Sequence, residues 1–117
     1  MDEANALCTW VAQQVGQIRE TVGRLQRAAA CAALTRAAGA DGGGYPGREI
    51  AGDAVDLCLR TQRLACMDVI VRDLDRGLVD FPALRDGEEV YLCWTVDEPS
   101  VAHWHDLDAG AAGRHDL

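Results

Sequence analysis

Residues 77–95 read Gly-Leu-Val-Asp-Phe-Pro-Ala-Leu-Arg-Asp-Gly-Glu-Glu-Val-Tyr-Leu-Cys-Trp-Thr, and this stretch decides the fold. Two runs that alternate in polarity, Gly77–Leu84 and Glu88–Thr95, flank the short segment Arg85-Asp-Gly87. An Asp-Gly pair between such runs is typical of a tight turn, because both residues tolerate a positive φ. The stretch therefore predicts two antiparallel strands joined as a β-hairpin.

Two further strands are predicted on either side of this hairpin. Val69–Leu74 is rich in β-branched residues and reaches the hairpin through the turn Asp75-Arg-Gly77. Val101–Leu107 follows the turn segment Asp97–Ser100. The tail Asp108–Leu117 shows no periodicity, and we expect it to be irregular.

The first half of the chain has helical rather than strand periodicity. Apolar residues alternate at spacings of four and three, at Ala4, Cys8, Val11, Val15, Ile18, Val22, Leu25, Ala29 and Ala32. This heptad-like seam predicts a helix over residues 3–37. A glycine-rich linker, 39–48, separates it from a second predicted helix over residues 50–66, whose apolar stripe is Ala54, Leu57, Cys58, Thr61, Leu64 and Ala65, with Arg60, Gln62 and Arg63 facing away.

The predicted architecture is a single α+β domain of 117 residues. Residues 1–67 form an antiparallel helical hairpin that packs on one face of a four-stranded antiparallel β-meander, residues 68–117. At about 1.5 Å of rise per residue, the second helix is too short to cover the whole seam of the first. The sheet, the tail or a second subunit must cover the rest, so we expect a homodimer.

The composition indicates the cellular location of the protein and the classes of partner that it does not bind. The net charge is −8, and an acidic surface repels phosphate backbones and anionic lipids, so neither nucleic acid nor a membrane is an expected partner. No apolar run approaches about 18 residues and no signal peptide opens the chain, which favours the cytoplasm. The five cysteines form no Cys-x-x-Cys pair. We expect reduced thiols, with the four in predicted helices (Cys8, Cys31, Cys58 and Cys66) filling the core.

The loop lengths also predict which residues face each other in the sheet. A hairpin centred near Glu98 places Cys93 opposite His103 and Tyr91 opposite His105. The apolar face, which should pack on the helices, then carries Val90, Leu92, Trp94, Ala102 and Trp104, together with Val79 and Phe81. The opposite, exposed face carries Tyr91, Cys93, Thr95, His103 and His105, with Asp80 from the neighbouring strand.

The polar face offers the ligand types of a transition metal. His103 and His105 alternate on one strand and so point to the same side. With Asp80 they make a set of two histidines and one carboxylate, which is typical of non-haem iron, whereas Cys93 favours zinc. Two alternatives remain open: a half-exposed sheet surface with ordinary hydrogen-bonded histidines, and a nucleophilic Cys93 activated by His103, for which no orienting third residue is evident.

Several short motifs resemble those of one bacterial family, the domain of unknown function 2203. They are Asp2–Leu7, Arg72-Asp-Leu74, Gly77–Pro82, Leu92-Cys-Trp94, Glu98-Pro99, Trp104-His105 and Gly110 with Gly113-Arg114. The resemblance implies a small cytosolic protein with a long N-terminal helix, and it names no activity. It gives weight to Asp80, Cys93, Glu98, His105 and Arg114, whereas residue 103 is more often Tyr in the family.

We therefore expect the polar face to bind a small ligand or a transition metal, zinc or iron, in a protein that could be an enzyme. Asp80, Cys93, His103 and His105 are the candidate metal ligands, and Tyr91, Glu98 and Arg114 the candidate contacts to an organic ligand. The alternative function is a homodimeric interaction module without catalysis that uses the helical seam.

Overall fold

The structure, a computed structural model, describes residues 2–37 and 47–117 and confirms an α+β architecture. Its elements are α1 (Asp2–Ala37), α2 (Gly47–Cys66), β1 (Ile70–Asp73), β2 (Leu78–Arg85), β3 (Glu88–Thr95), β4 (His103–Asp106), a 3₁₀ turn (Ala111–Gly113) and β5 (His115–Asp116). Of the predicted linker, residues 39–46 lie outside the described residues. Its last two residues, Gly47 and Arg48, belong to α2.

The strands form one antiparallel sheet in the order β1-β2-β3-β4-β5, which is a meander. The predicted turn is confirmed, because Arg85 pairs with Glu88 and both intervening residues have positive φ, 53° at Asp86 and 81° at Gly87. The expected register is also confirmed: Cys93 lies opposite His103, and Tyr91 opposite His105.

We expected the tail to be irregular, but it supplies a fifth strand. Asp116 pairs with His103, and His115 pairs with Trp104. An edge strand such as β4 leaves a row of backbone N–H and C=O groups without partners, and the returning tail occupies some of them. Two residues of strand are too few to show a twofold pattern, which is why the sequence did not indicate β5.

The helices cover the apolar face of the sheet, as predicted. The buried core contains Ala4, Val11, Val15, Ile18, Leu64, Val69, Val79, Phe81, Leu92, Trp94 and Val101. Hydrogen bonds also connect α1 to the sheet half. Nε of Arg19 donates to the Leu74 carbonyl at 2.7 Å, and the Val101 amide donates to Oδ1 of Asn5, also at 2.7 Å. Together these contacts orient the sheet so that its polar face points away from the helices.

Two residues predicted on the apolar face deviate from it. Ala102 precedes β4 and is exposed, whereas Trp104 is only half-buried. The Trp104 ring lies 4.6 Å from the ring of His115 and 4.6 Å from the Arg85 guanidinium carbon. It therefore packs partly against the short edge strand and a surface arginine, as well as against the core.

The interface between the two helices is more polar than predicted. Ala54, Cys58, Thr61 and Ala65 are exposed instead of forming a buried stripe. Arg60, predicted to face away, donates to Oε1 of the buried Gln14 at 3.1 Å and to Oδ2 of Asp56 at 3.0 Å. Asp56 also accepts from the buried hydroxyl of Thr21. Arg60 is stabilised in this interface by Asp56 on its own helix and by Gln14 on the other helix.

The distal part of the hairpin is not covered by the sheet. Cys31, Cys58 and Cys66 are exposed and Cys8 is half-buried, so the prediction of four core cysteines was wrong. The described part of the chain measures 62 × 24 × 23 Å. Its long dimension far exceeds the length of the eight-residue strand β3, so the helices extend beyond the sheet. Large apolar side chains therefore stay exposed on the hairpin: Leu34, Ile50, Val55 and Leu59. Neither described helix has an apolar stretch of the length needed to cross a bilayer.

Candidate functional site

Three of the predicted site residues come together on the sheet. Asp80, Cys93 and His105 lie on the neighbouring strands β2, β3 and β4, where Asp80 pairs with Cys93 and His105 with Tyr91. One potential ligand atom from each residue lies within 4.8 Å of the other two. A carboxylate, a thiol and an imidazole therefore converge at one point on the polar face.

This point is buried, although we expected the polar face to be exposed. Asp80 is 1% exposed, Cys93 0% and His105 3%. The covering chain is the C-terminal tail, which turns back after β4 so that residues 107–111 line the site. The prediction of an open face failed because it treated that tail as irregular.

Both ring nitrogens of His105 face hydrogen-bond acceptors. Nδ1 lies 2.8 Å from the backbone oxygen of Asp106, and Nε2 lies 3.0 Å from Oδ1 of Asp80. A neutral imidazole carries one N–H and can satisfy only one of them, whereas the imidazolium satisfies both. Burial opposes that charge, but the hydrogen bonds and the negative charge of Asp80 outweigh it and raise the pKa of His105.

The second oxygen of Asp80 is held by an arginine from β1. Nε of Arg72 donates to Oδ2 of Asp80 at 2.8 Å, and this hydrogen bond is the main reason that the pKa of Arg72 is raised. The Arg72 guanidinium carbon lies 4.9 Å from the centre of the Tyr91 ring, and that ring lies 5.5 Å from the His105 ring. Both oxygens of the buried carboxylate thus have a partner, Arg72 on one side and His105 on the other.

Cys93 is next to a second charged cluster. Burial raises the pKa of its thiol, and a hydrogen bond from Arg114 partly offsets this effect. Nη1 of Arg114 also donates to Oε1 of Glu98 at 3.1 Å, and the Thr95 amide donates to the same oxygen at 3.0 Å. Although burial raises the pKa of Glu98, these hydrogen bonds and the charge of Arg114 lower it overall. Arg114 therefore links the tail to β3.

His103 does not join the other candidate ligands. Its Nε2 lies 3.2 Å from Oδ1 of Asp116, and its Nδ1 lies 3.2 Å from Oε2 of Glu98. The second contact lacks hydrogen-bond geometry, so among the described residues this buried Nδ1 has no hydrogen-bond partner. The expected set of two histidines and one carboxylate is not assembled.

A cleft of about 280 Å³ adjoins the site. Its lining residues are Arg72, Leu78, Asp80, His105 and the tail segment 107–111. The wall includes Asp80 and His105 but not Cys93, which has no exposed surface. All three side chains are buried, but the cleft adjoins the carboxylate and the imidazole and not the thiol, and this arrangement disfavours a nucleophilic role for Cys93. Tyr91, Glu98 and Arg114, the candidate ligand contacts, do not line this cleft.

The sequence did not identify Arg72 as part of the site. Strand alternation places Arg72 on the same side as Ile70, which pairs with Asp80. Because paired residues share one face of the sheet, alternation alone places Arg72 on the polar face beside Asp80, next to a register shift between Val71 and Asp73. The signal available in the sequence was this alternation, which places Arg72 on the same face as Asp80.

Comparison with known proteins identifies the family of the chain but indicates no activity. A family model described as "Uncharacterized conserved protein (DUF2203)" matches residues 1–117, which confirms the resemblance noted in the sequence. No curated protein and no solved structure matches the chain. Any function must therefore be argued from the site itself.

Proposed function

The chain belongs to the DUF2203 family of uncharacterized conserved proteins, and we propose that it binds one zinc ion through Asp80, Cys93 and His105. Imidazole nitrogen, thiolate sulfur and carboxylate oxygen are all common zinc ligands. A thiolate in the set favours zinc over the harder cations, which prefer oxygen ligands alone. Because His103 lies with Glu98 and Asp116, the same geometry gives less support to a non-haem iron site.

The hydrogen bond from Nδ1 of His105 to the Asp106 carbonyl carries this proposal. A histidine that binds a metal through one nitrogen usually donates its other N–H to a carbonyl or a carboxylate, which fixes the ring and its tautomer. The 2.8 Å contact provides that partner and leaves Nε2 directed at Asp80, with Cys93 in the same group. Zinc binding would need Nε2 in its unprotonated form and would replace its contact with Asp80.

The neighbouring arginines stabilise the ionised forms of the carboxylate and thiol ligands. Arg72 holds the second oxygen of Asp80, and Arg114 reaches the thiol of Cys93. Both arginines favour the negative charge that a coordinating carboxylate and thiolate must carry. Three protein ligands leave one coordination position for water or a small ligand, as in catalytic zinc sites, and the adjoining cleft supports an enzymatic role.

Calorimetric titration with zinc tests the proposal. We expect one site per chain with a dissociation constant below about 10 μM. Cys93→Ser should weaken binding at least about tenfold, because a hydroxyl does not ionise to replace the thiolate. Cys58→Ser, at an exposed position on α2, is the matched control and should leave the affinity unchanged. Equal affinities for the two variants would contradict the proposal.

A second candidate function is self-association through the hairpin. Its support is the exposed apolar surface on the distal helices, where Leu34 is 72% exposed, Val55 58% and Leu59 46%. A second copy of the chain would remove these side chains from water. Light scattering should then give twice the chain mass, and Leu59→Glu should reduce it to a monomer that remains folded. A monomeric parent protein would exclude this function.

We also propose a cytoplasmic location. All five cysteines are free, and Cys31, Cys58 and Cys66 are exposed. Exposed thiols persist in a reducing compartment, whereas an oxidising one promotes disulfide formation.

A further inference from the structure

We propose that the cleft beside Arg72 binds a small aliphatic carboxylate. This inference goes beyond zinc binding and does not rest on it, because the residues that would hold the carboxylate differ from the proposed zinc ligands. The cleft is small, about 280 Å³, which is below the usual range for sites of drug-sized ligands. A ligand with few heavy atoms fits this volume.

The guanidinium of Arg72 supplies the positive charge. Nε of Arg72 is committed to Asp80, at 2.8 Å, but the two terminal nitrogens of an arginine carry four further N–H donors. The side chain is 43% exposed and lines the cleft, so water and solutes reach it. Its fork of donors matches a carboxylate, and the contact with Asp80 holds the fork in place.

Apolar side chains form the rest of the wall. Leu78 is a buried residue of the cleft wall, and Leu107, from the tail, has 47% of its surface exposed. Ala109 and Ala111 add two methyl groups. A short hydrocarbon chain on the ligand would cover this surface, including the exposed part of Leu107.

Two acids also line the cleft and limit where a carboxylate can sit. Both oxygens of Asp80 are already engaged, by Arg72 and by His105. Asp108 is exposed, and solvent screens its charge. The ligand carboxylate would therefore lie at the Arg72 end, with its hydrocarbon chain towards Leu78 and Leu107.

Nuclear magnetic resonance titration with isovalerate and its neutral analogue isovaleramide tests this inference. The two probes have nearly the same shape and differ in charge. Isovalerate should shift the amide signals of Ala109, Gly110 and Ala111 with a dissociation constant of about 1 mM or lower. Isovaleramide should bind about tenfold more weakly, because it lacks the charge-assisted hydrogen bonds.

Variants identify the arginine responsible. Arg72→Gln should weaken isovalerate binding about tenfold, whereas Arg76→Gln, in the exposed turn before β2, should leave it unchanged. Each titration is run once with a chelator and once with zinc. A failure of zinc binding can then be distinguished from a failure of isovalerate binding. If wild-type protein binds both probes equally, or shifts none of these amides with either probe, the inference is overturned. The wild-type comparison decides the matter even if Arg72→Gln fails to fold.

Discussion

Asp80 and His105 lie on strands that do not pair with each other, yet their side chains meet across the intervening strand, with Oδ1 and Nε2 separated by 3.0 Å. Cys93 lies on that intervening strand and faces the same side of the sheet. In a twisted antiparallel sheet, side chains on the first and third of three strands can meet when the strand between them carries a shorter side chain on that face. His105 is the diagonal neighbour of Cys93, whereas the directly opposed His103 lies with Asp116 and Glu98.

Asp80 should contribute strongly to stability even without a metal. Replacing it with asparagine leaves Arg72 and the buried His105 without their carboxylate, and we expect a loss of about 3 kcal/mol in the free energy of unfolding. Asp116→Asn is the control, because the Asp116 side chain is 93% exposed and its contact with His103 is open to solvent. Denaturant titration measures both changes. Losses of similar size would show that the Asp80 cluster is not structurally important.

Zinc affinity should fall as the pH is lowered, first because protons compete at the Cys93 thiol and then more steeply as His105 is also protonated. The pKa values of His105 and Cys93 are both raised, so protons compete with zinc at a higher pH than usual. Below both pKa values, two protons leave for each zinc bound, and affinity should drop about 100-fold per pH unit. Calorimetry in buffers of different ionisation enthalpy counts these protons. A proton release near zero at pH 6 would contradict this ligand set.

Trp94 and Trp104 should differ in their contributions to stability. Trp94 is 3% exposed and its Nε1 donates to the Glu98 carbonyl at 3.0 Å, so Trp94→Ala should cost about 3–5 kcal/mol. Trp104 is only half-buried and lies against His115 and Arg85, and its removal should cost about 1–2 kcal/mol. Thermal unfolding of both variants checks this order. A larger loss at Trp104 would contradict the difference in burial between the two rings.

The pairing of β3 with β4 was predictable to the level of individual residue pairs, for a local reason. The Asp86-Gly87 turn fixes the register of β2 against β3, and a single loop connects β3 to β4. Twofold alternation then carries that register along each strand, and it correctly separated Trp94 from Cys93. Register information of this kind lies in short stretches of sequence and does not depend on the rest of the fold.

The burial of the site was not predictable, because it depends on contacts between distant parts of the chain. The tail covers the polar face through the pairing of β5 with β4 and through the ion pair between Arg114 and Glu98. The prediction for the helix interface failed in a similar way, since Arg60 hydrogen-bonds the distant Gln14 on α1 in addition to its neighbour Asp56 on α2. Such compensation between distant residues leaves no periodic signal in one sequence.

The most direct test of the zinc proposal is the absorption spectrum of the protein titrated with Co²⁺, which replaces zinc and reports its ligands. The account predicts a thiolate-to-cobalt charge-transfer band and strong visible bands of tetrahedral coordination. Both should disappear in Cys93→Ser and in His105→Ala but persist in His103→Ala, because His103 lies outside the three-residue group. A weak octahedral spectrum without charge transfer in the wild-type protein, or equal loss in the two histidine variants, would contradict the account.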